Sequence, residues 1–165
     1  MVEGGCSKEY GLVKRLAYGE SGIFARLVDL LVEATGAYQL RQIQAGAEAV
    51  QLFDSWAGVL PPAELERWVI APTRRIVDAV RAAAPKVPVI SFPRGAGLLY
   101  ERYLAGTGVD AVGLDDSVPP GLGGAGAAAP GGGPFVFNLG HGVQQRTPPE
   151  HVGALIRHLR GDRRA

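Results

Sequence analysis

Apolar residues recur at helical spacing between Ile23 and Tyr38, where Ile23, Leu27, Leu30, Leu31, Ala34 and Tyr38 fall on one stripe. Ser21 stands where a capping hydroxyl belongs and Gly46 follows the last turn, so a helix is predicted from Ser21 to about Gln44 with that stripe buried. The pattern then shortens. Apolar runs at Ala49 to Phe53, Val87 to Phe92, Asp110 to Leu114 and Phe135 to Phe137 read as strands, each closing on polar or hinge residues. Between the first two, Pro61 and Pro62 open a helix striped by Leu65, Val69, Ile76 and Val80 that ends before Pro85. Pro72 lacks an amide donor, so a kink or break is expected near Ala71. A short helix is predicted from Leu98 to Leu104 and a last one from Thr147. Helix and strand alternate, which predicts an α/β fold with right-handed βαβ units around a parallel sheet.

One stretch departs from this order. From Pro119 to Pro134 the chain is almost wholly glycine, alanine and proline, a composition that cannot offset the entropy of ordering and reads as a linker at residues 119–134 within a single domain spanning 1–165. It has no Gly-Lys-Ser/Thr ending and no regular glycine spacing, so it is not a phosphate loop. Seventeen Lys and Arg balance sixteen Asp and Glu, which leaves no global field for nucleic acid or anionic lipid. The single cysteine, Cys6, excludes an intrachain disulfide, and the start from Met1 to Gly5 lacks the regions of a signal peptide. A cytoplasmic location is expected, with no membrane span, because no apolar run reaches about 18 residues.

The chemistry sits at the strand ends. Asp54 and Ser55, Arg94, Asp115 and Asp116, and Asn138 with the glycine-flanked His141 each close a strand, and in parallel α/β sheets that edge is where ligands bind. His141 reads as a ligand contact or as a buried histidine bonded to backbone. Asp54 and Ser55 could bind substrate or satisfy the amides of their own turn. Arg94 could clamp a carboxylate or sit in solvent. Asp115 and Asp116 are adjacent in an extended stretch, so at most one faces the site. No metal is expected, because His141, His151 and His158 are not spaced as a ligand set; His151 and His158 read as helix-surface residues. Ser55 lacks the glycine-flanked elbow of a serine nucleophile.

Three blocks together carry a family resemblance. Ala45 to Gly58, with its Phe53-Asp54-Ser55-Trp56-Ala57-Gly58 core, Val112-Gly113-Leu114-Asp115, and Phe137-Asn138-Leu139-Gly140-His141-Gly142 followed by Thr147-Pro148-Pro149-Glu150, resemble uroporphyrinogen decarboxylase. Met1 to Gly5 looks like a segment from the middle of that family's chain. The resemblance implies a (β/α)8 TIM-barrel enzyme that converts uroporphyrinogen to coproporphyrinogen by removing carbon dioxide from four acetate side chains. It implies no cofactor and a homodimer. Carried over residue by residue, it makes Ser55 and His141 hydrogen-bond partners of substrate carboxylates and puts Arg94 where the family often has a basic residue. Asp54 and Asp115 complete the expected substrate-binding set, although the role of Asp115 is not assigned by the resemblance.

Two departures qualify that expectation. The family's aspartate that gathers the pyrrole N–H groups, and its carboxylate-binding arginines, have no counterpart in these 165 residues, and the Gly/Ala/Pro stretch replaces a helix and a strand. A full barrel also needs about 250 residues, whereas this length holds roughly five units of about 30. The expectation is therefore a partial barrel of about four βα units, weak or inactive alone, paired as a homodimer or with a missing barrel half. The alternative is a non-catalytic tetrapyrrole-binding or interaction module. A zinc- and corrinoid-dependent methyltransferase, a distant relative of the same barrel, would need more cysteines than Cys6.

Overall fold

The structure, a computed structural model, describes residues 2–4, 9–115 and 145–159. A helix that the hydrophobic pattern does not foretell comes first: α1, Gly11–Gly19, enters from Tyr10 in a left-handed conformation, and the Glu3 carboxylate accepts the Val13 N–H at 3.0 Å. Helix α2 follows at Ser21–Gln44, with the extent expected. Its N-cap position is held by Glu20, not Ser21, and no side chain caps it. Strands β1 (Val50–Asp54), β2 (Val89–Pro93) and β3 (Ala111–Val112) form one sheet in the order β1-β2-β3 with both pairings parallel. Val50 lies beside Val89 and Asp54 beside Pro93, while Ile90 lies beside Ala111. The expected fourth strand at Phe135 to Phe137, and the 119–134 linker, lie outside the described residues.

Between β1 and β2 the backbone is helical almost throughout, as α3 (Pro62–Leu65), a π turn (Glu66–Ile70) and α4 (Ala71–Ala83). Pro72 accounts for the π turn. A proline there offers no N–H to the carbonyl of Trp68 and its ring presses on it, so the chain widens and the Ala71 N–H reaches back to the Glu66 carbonyl. The break foreseen near Ala71 is thus a bulge just before it, and the helix carries on. After β2, a 3-10 turn at Gly97–Leu99 leads into α5 (Tyr100–Thr107), which stops at Gly108 in the left-handed conformation of a C-terminal cap. The last helix, α6, covers Pro149–Leu159 and leaves His151 exposed.

Among the described residues, the buried core lies on one face of the sheet. Val50 and Leu52 of β1 and Val89 of β2 point to the helices, where Val77 and Val80 of α4 meet them; a second cluster, Ala57, Leu65, Val69, Ile70 and Tyr103, continues the layer toward α5. Each fully buried aliphatic side chain there contributes about 1.5–3 kcal/mol. The alternate residues of the same strands point the other way. Gln51 is exposed, Phe53 is 69% exposed, and Phe53 touches Phe92 edge to face at 6.1 Å between centroids.

Helix α2 shows the same one-sidedness and corrects the expected stripe. Its buried residues are Val32, Gly36 and Gln39, with Gly36 close enough to α4 that an added Cβ would lie 3.9 Å from the Ala79 Cβ. Ile23, Leu30, Leu31 and Tyr38 are 48%, 62%, 42% and 61% exposed. Periodicity located an apolar face, but the face that is buried carries Val32, Gly36 and Gln39, with Gly36 at ordinary contact distance from Ala79 of α4.

Candidate functional site

Strands β1 and β2 end side by side at Asp54 and Pro93, β3 stops beside Ser91, and the turns after β1 and β2 interlock through backbone groups. Asp54 ends β1 and its carboxylate turns back, Oδ1 accepting the Trp56 N–H at 3.1 Å. Burial raises its pKa above the ordinary 3.8, against the opposing pull of the Trp56 and Ala57 amides. By alternation from Val50 and Leu52, Asp54 belongs to the helix-facing side of the strand. It lines a cavity of about 150 Å³ with Lys14, Phe24, Trp56 and Trp68. A more open hollow of about 430 Å³ is lined wholly by residues 19–26 and includes none of the strand-end groups. Of the two readings left open for Asp54, the geometry displays the turn-supporting one.

Ionising Asp54 is disfavoured in the folded chain, and the sign of the linkage follows. A raised carboxyl pKa means the folded state holds its proton more tightly, so this contribution to stability is full below pH 3.8 and is lost as pH rises through the shifted value. Asp54→Asn keeps an oxygen for the Trp56 amide and removes the charge. Thermal melts should show the variant more stable than the parent at pH 7, with the advantage gone at pH 3.

Ser55 follows in the turn and is exposed, as is Trp56. The next turn is bonded to this one at two points: the Arg94 N–H donates to the Asp54 carbonyl at 2.9 Å and the Gly58 N–H donates to the Arg94 carbonyl at 3.0 Å. Gly58 is required by this approach. A Cβ built on it would stand 2.1 Å from the Gly95 carbonyl oxygen, and Gly95 itself has φ +75°, a conformation that favours glycine. The Arg94 side chain is exposed beside Ser55's turn. At the end of β3, the Asp115 carboxylate accepts the Gly95 N–H. The structure therefore brings Ser55, Arg94 and Asp115 to one edge. Asn138 and His141 lie outside the described residues, as does Asp116.

Two tyrosines of α5 support this edge and were not foreseen. Tyr103 is fully buried, and its hydroxyl lies 2.6 Å from the Ser91 Oγ, which in turn approaches the Leu52 carbonyl at 3.4 Å. Burial pushes the Tyr103 pKa up. Tyr100 is 5% exposed, and burial and then the neighbouring Asp115 charge push its pKa up as well. Their spacing of three on a predicted helix was the available signal, since residues i and i+3 share a face. Among the described residues no group of three or more His, Cys, Asp and Glu could hold a metal ion, and no helix is long and apolar enough to cross a membrane.

A family model described as uroporphyrinogen decarboxylase (URO-D) matches residues 1–128, a span that contains all three strands and their turns. The chain belongs to the uroporphyrinogen decarboxylase family. Proteins named uroporphyrinogen decarboxylase from Rhodospirillum rubrum, Rhizorhabdus wittichii and Gluconobacter oxydans are similar to it at 45%, 45% and 42% identity, over 99%, 98% and 97% of this chain. The same matches cover 56%, 56% and 55% of those relatives, so the chain spans about half the length of the curated relatives it matches. The first alignment runs to 193 positions against 165 residues, so gaps in this chain amount to at least 28 positions (193 − 165). A family member at this identity that lacks internal positions agrees with an internal loss relative to its relatives.

Proposed function

We propose that this chain is a sector of a uroporphyrinogen decarboxylase barrel whose strand-end turns bind the carboxylates of a tetrapyrrole. The carrying observation is a parallel sheet whose core, among the described residues, lies on one face only. Purely parallel sheets occur with both faces covered, and in a closed barrel the second face is the packed interior. Gln51, Phe53, Ile90 and Phe92 would then be interior residues awaiting the rest of the barrel, supplied by a missing half or by a second copy of the chain.

On this reading Ser55 and His141 donate hydrogen bonds to substrate carboxylates and Arg94 pairs with one. Asp54 acts at one remove, by fixing the turn that carries Ser55. In the reaction expected of the family, a pyrrole ring takes a proton and becomes an electron sink. The C–C bond to an acetate carboxylate breaks, carbon dioxide leaves, the electron pair enters the ring, the methylene carbon is protonated, and the ring gives up its added proton to become a pyrrole again. The residues of this chain would hold and orient carboxylates in that sequence, and polar groups fixed in advance stabilise such charge without reorganising. The acid expected to gather the pyrrole N–H groups has no counterpart here, so binding without turnover is the expected behaviour. The cytoplasm, where tetrapyrrole synthesis would supply the substrate, is the proposed location.

Anaerobic incubation of the purified chain with uroporphyrinogen, followed by chromatography of the carboxylated products, tests this directly. No conversion is expected, and robust conversion would overturn the claim that the chain binds without catalysing. The second reading, a dedicated tetrapyrrole-binding module, draws on the same face. It is favoured if the chain binds uroporphyrin tightly on its own and no decarboxylation appears when the missing barrel half is supplied.

A further inference from the structure

Strand β3 has only two residues in register with β2, too few for its own ladder to fix what surrounds it. Two aspartates flank it and tie it to β2 by side chains. At the amino end Asp110 accepts the Val89 N–H at 2.8 Å and pairs with Arg81 at 2.9 Å. At the carboxyl end Asp115 accepts the Gly95 N–H, with the buried Tyr100 beside it. The two ties differ in what they hold. Asp110 grips a strand already paired in the sheet, whereas Asp115 grips the turn just beyond the last rung of the β1–β2 ladder, the Arg94 N–H on the Asp54 carbonyl.

That turn carries Arg94, and its carbonyl and glycine backbone are in turn the contact surface for Gly58 in the Ser55 loop. We propose that Asp115 is a positioning residue: by accepting the Gly95 N–H it holds the turn after β2 in its left-handed conformation, and through Gly58 it sets the separation between Arg94 and Ser55. Asp115 thereby acts on the ligand through the two loops and makes no contact with it. The functional half of this inference rests on the carboxylate-binding reading above; the structural half does not.

The test compares Asp115→Ala, Asp115→Asn and the control Asp110→Ala in the full chain. It uses amide hydrogen exchange at Gly95 and Gly58 together with titration of uroporphyrin. Losing a charge-assisted hydrogen bond should speed exchange at both amides by about ten-fold or more in Asp115→Ala and weaken uroporphyrin by a similar factor. Asp115→Asn, which retains an accepting oxygen, should keep both within about three-fold of the parent. Asp110→Ala should leave the Gly95 amide and the affinity unchanged, even where it lowers the melting temperature. Unchanged exchange at Gly95 and Gly58 in Asp115→Ala overturns the positioning role. Affinity that rises in both Asp115 variants overturns it too, because it means the charge faces the ligand. If the parent binds no uroporphyrin, the carboxylate-binding reading fails, and the exchange data still decide whether Asp115 holds the two loops.

Discussion

Gly58→Ala should abolish saturable uroporphyrin binding and lower the melting temperature, although it adds a single methyl group. The new carbon would lie 2.1 Å from the Gly95 oxygen and 2.5 Å from the Gly95 carbonyl carbon, against an optimal separation near ~3.5 Å. Both neighbours are backbone, so no rotamer change relieves the contact, and the two turns must part. Parting breaks the hydrogen bond from Gly58 to the Arg94 carbonyl and swings Ser55 away from Arg94. Overpacking of this kind costs about 1–3 kcal/mol in stability. The loss of binding should exceed what that stability change explains, because the geometry of the two loops is the site itself. Retained affinity in a Gly58→Ala chain shown folded by circular dichroism would mean that the two turns do not act together.

Tyr103→Ala is the second large effect, on stability. Tyr103 is fully buried in the cluster of Ala57, Leu65, Val69 and Ile70, and truncating a buried aromatic to alanine costs about 3–5 kcal/mol. A domain's whole stability is about 5–15 kcal/mol, and a three-stranded sheet whose described core lies on one face should sit low in that range. Urea titration followed by circular dichroism should therefore find Tyr103→Ala largely unfolded without denaturant. Tyr103→Phe keeps the ring and removes only the hydroxyl that meets the Ser91 Oγ. With Ser91 still able to approach the Leu52 carbonyl, the cost should be about 1–2 kcal/mol. Equal destabilisation by the two variants would show that the hydroxyl contact, and not ring packing, holds α5 to the sheet.

Local pattern made much of this fold readable. The period of α2 and the proline opening of α3 gave helices within a residue or two of those observed, and the apolar runs gave β1 and β2. Where pattern failed, the deciding contact was distant in sequence. The stripe from Ile23 to Tyr38 has the spacing of a buried face, but the partner that would bury it is not among the described residues. Periodicity reports a preference for burial and says nothing of which neighbour satisfies it. Helix α1 escaped notice because glycines bound it and Tyr10 enters it in a conformation that sequence rarely signals. At the site, strand-end polarity was enough to gather Ser55, Arg94 and Asp115 on one edge. It could not show that Asp54 and Asp115 both spend their carboxylates on loop amides, since those bonds join turns whose approach depends on Gly58 and Gly95.

The central claim is that a sector of a decarboxylase barrel still recognises a tetrapyrrole by its carboxylates. Fluorescence titration of the purified chain with uroporphyrin and with coproporphyrin, which lacks the acetate carboxylates, measures that most directly. The account predicts saturable binding of uroporphyrin, tighter than that of coproporphyrin and weakened at least about ten-fold in a Ser55→Ala, Arg94→Ala double variant. Binding that is absent, or equal for the two porphyrins and indifferent to the double variant, would contradict it.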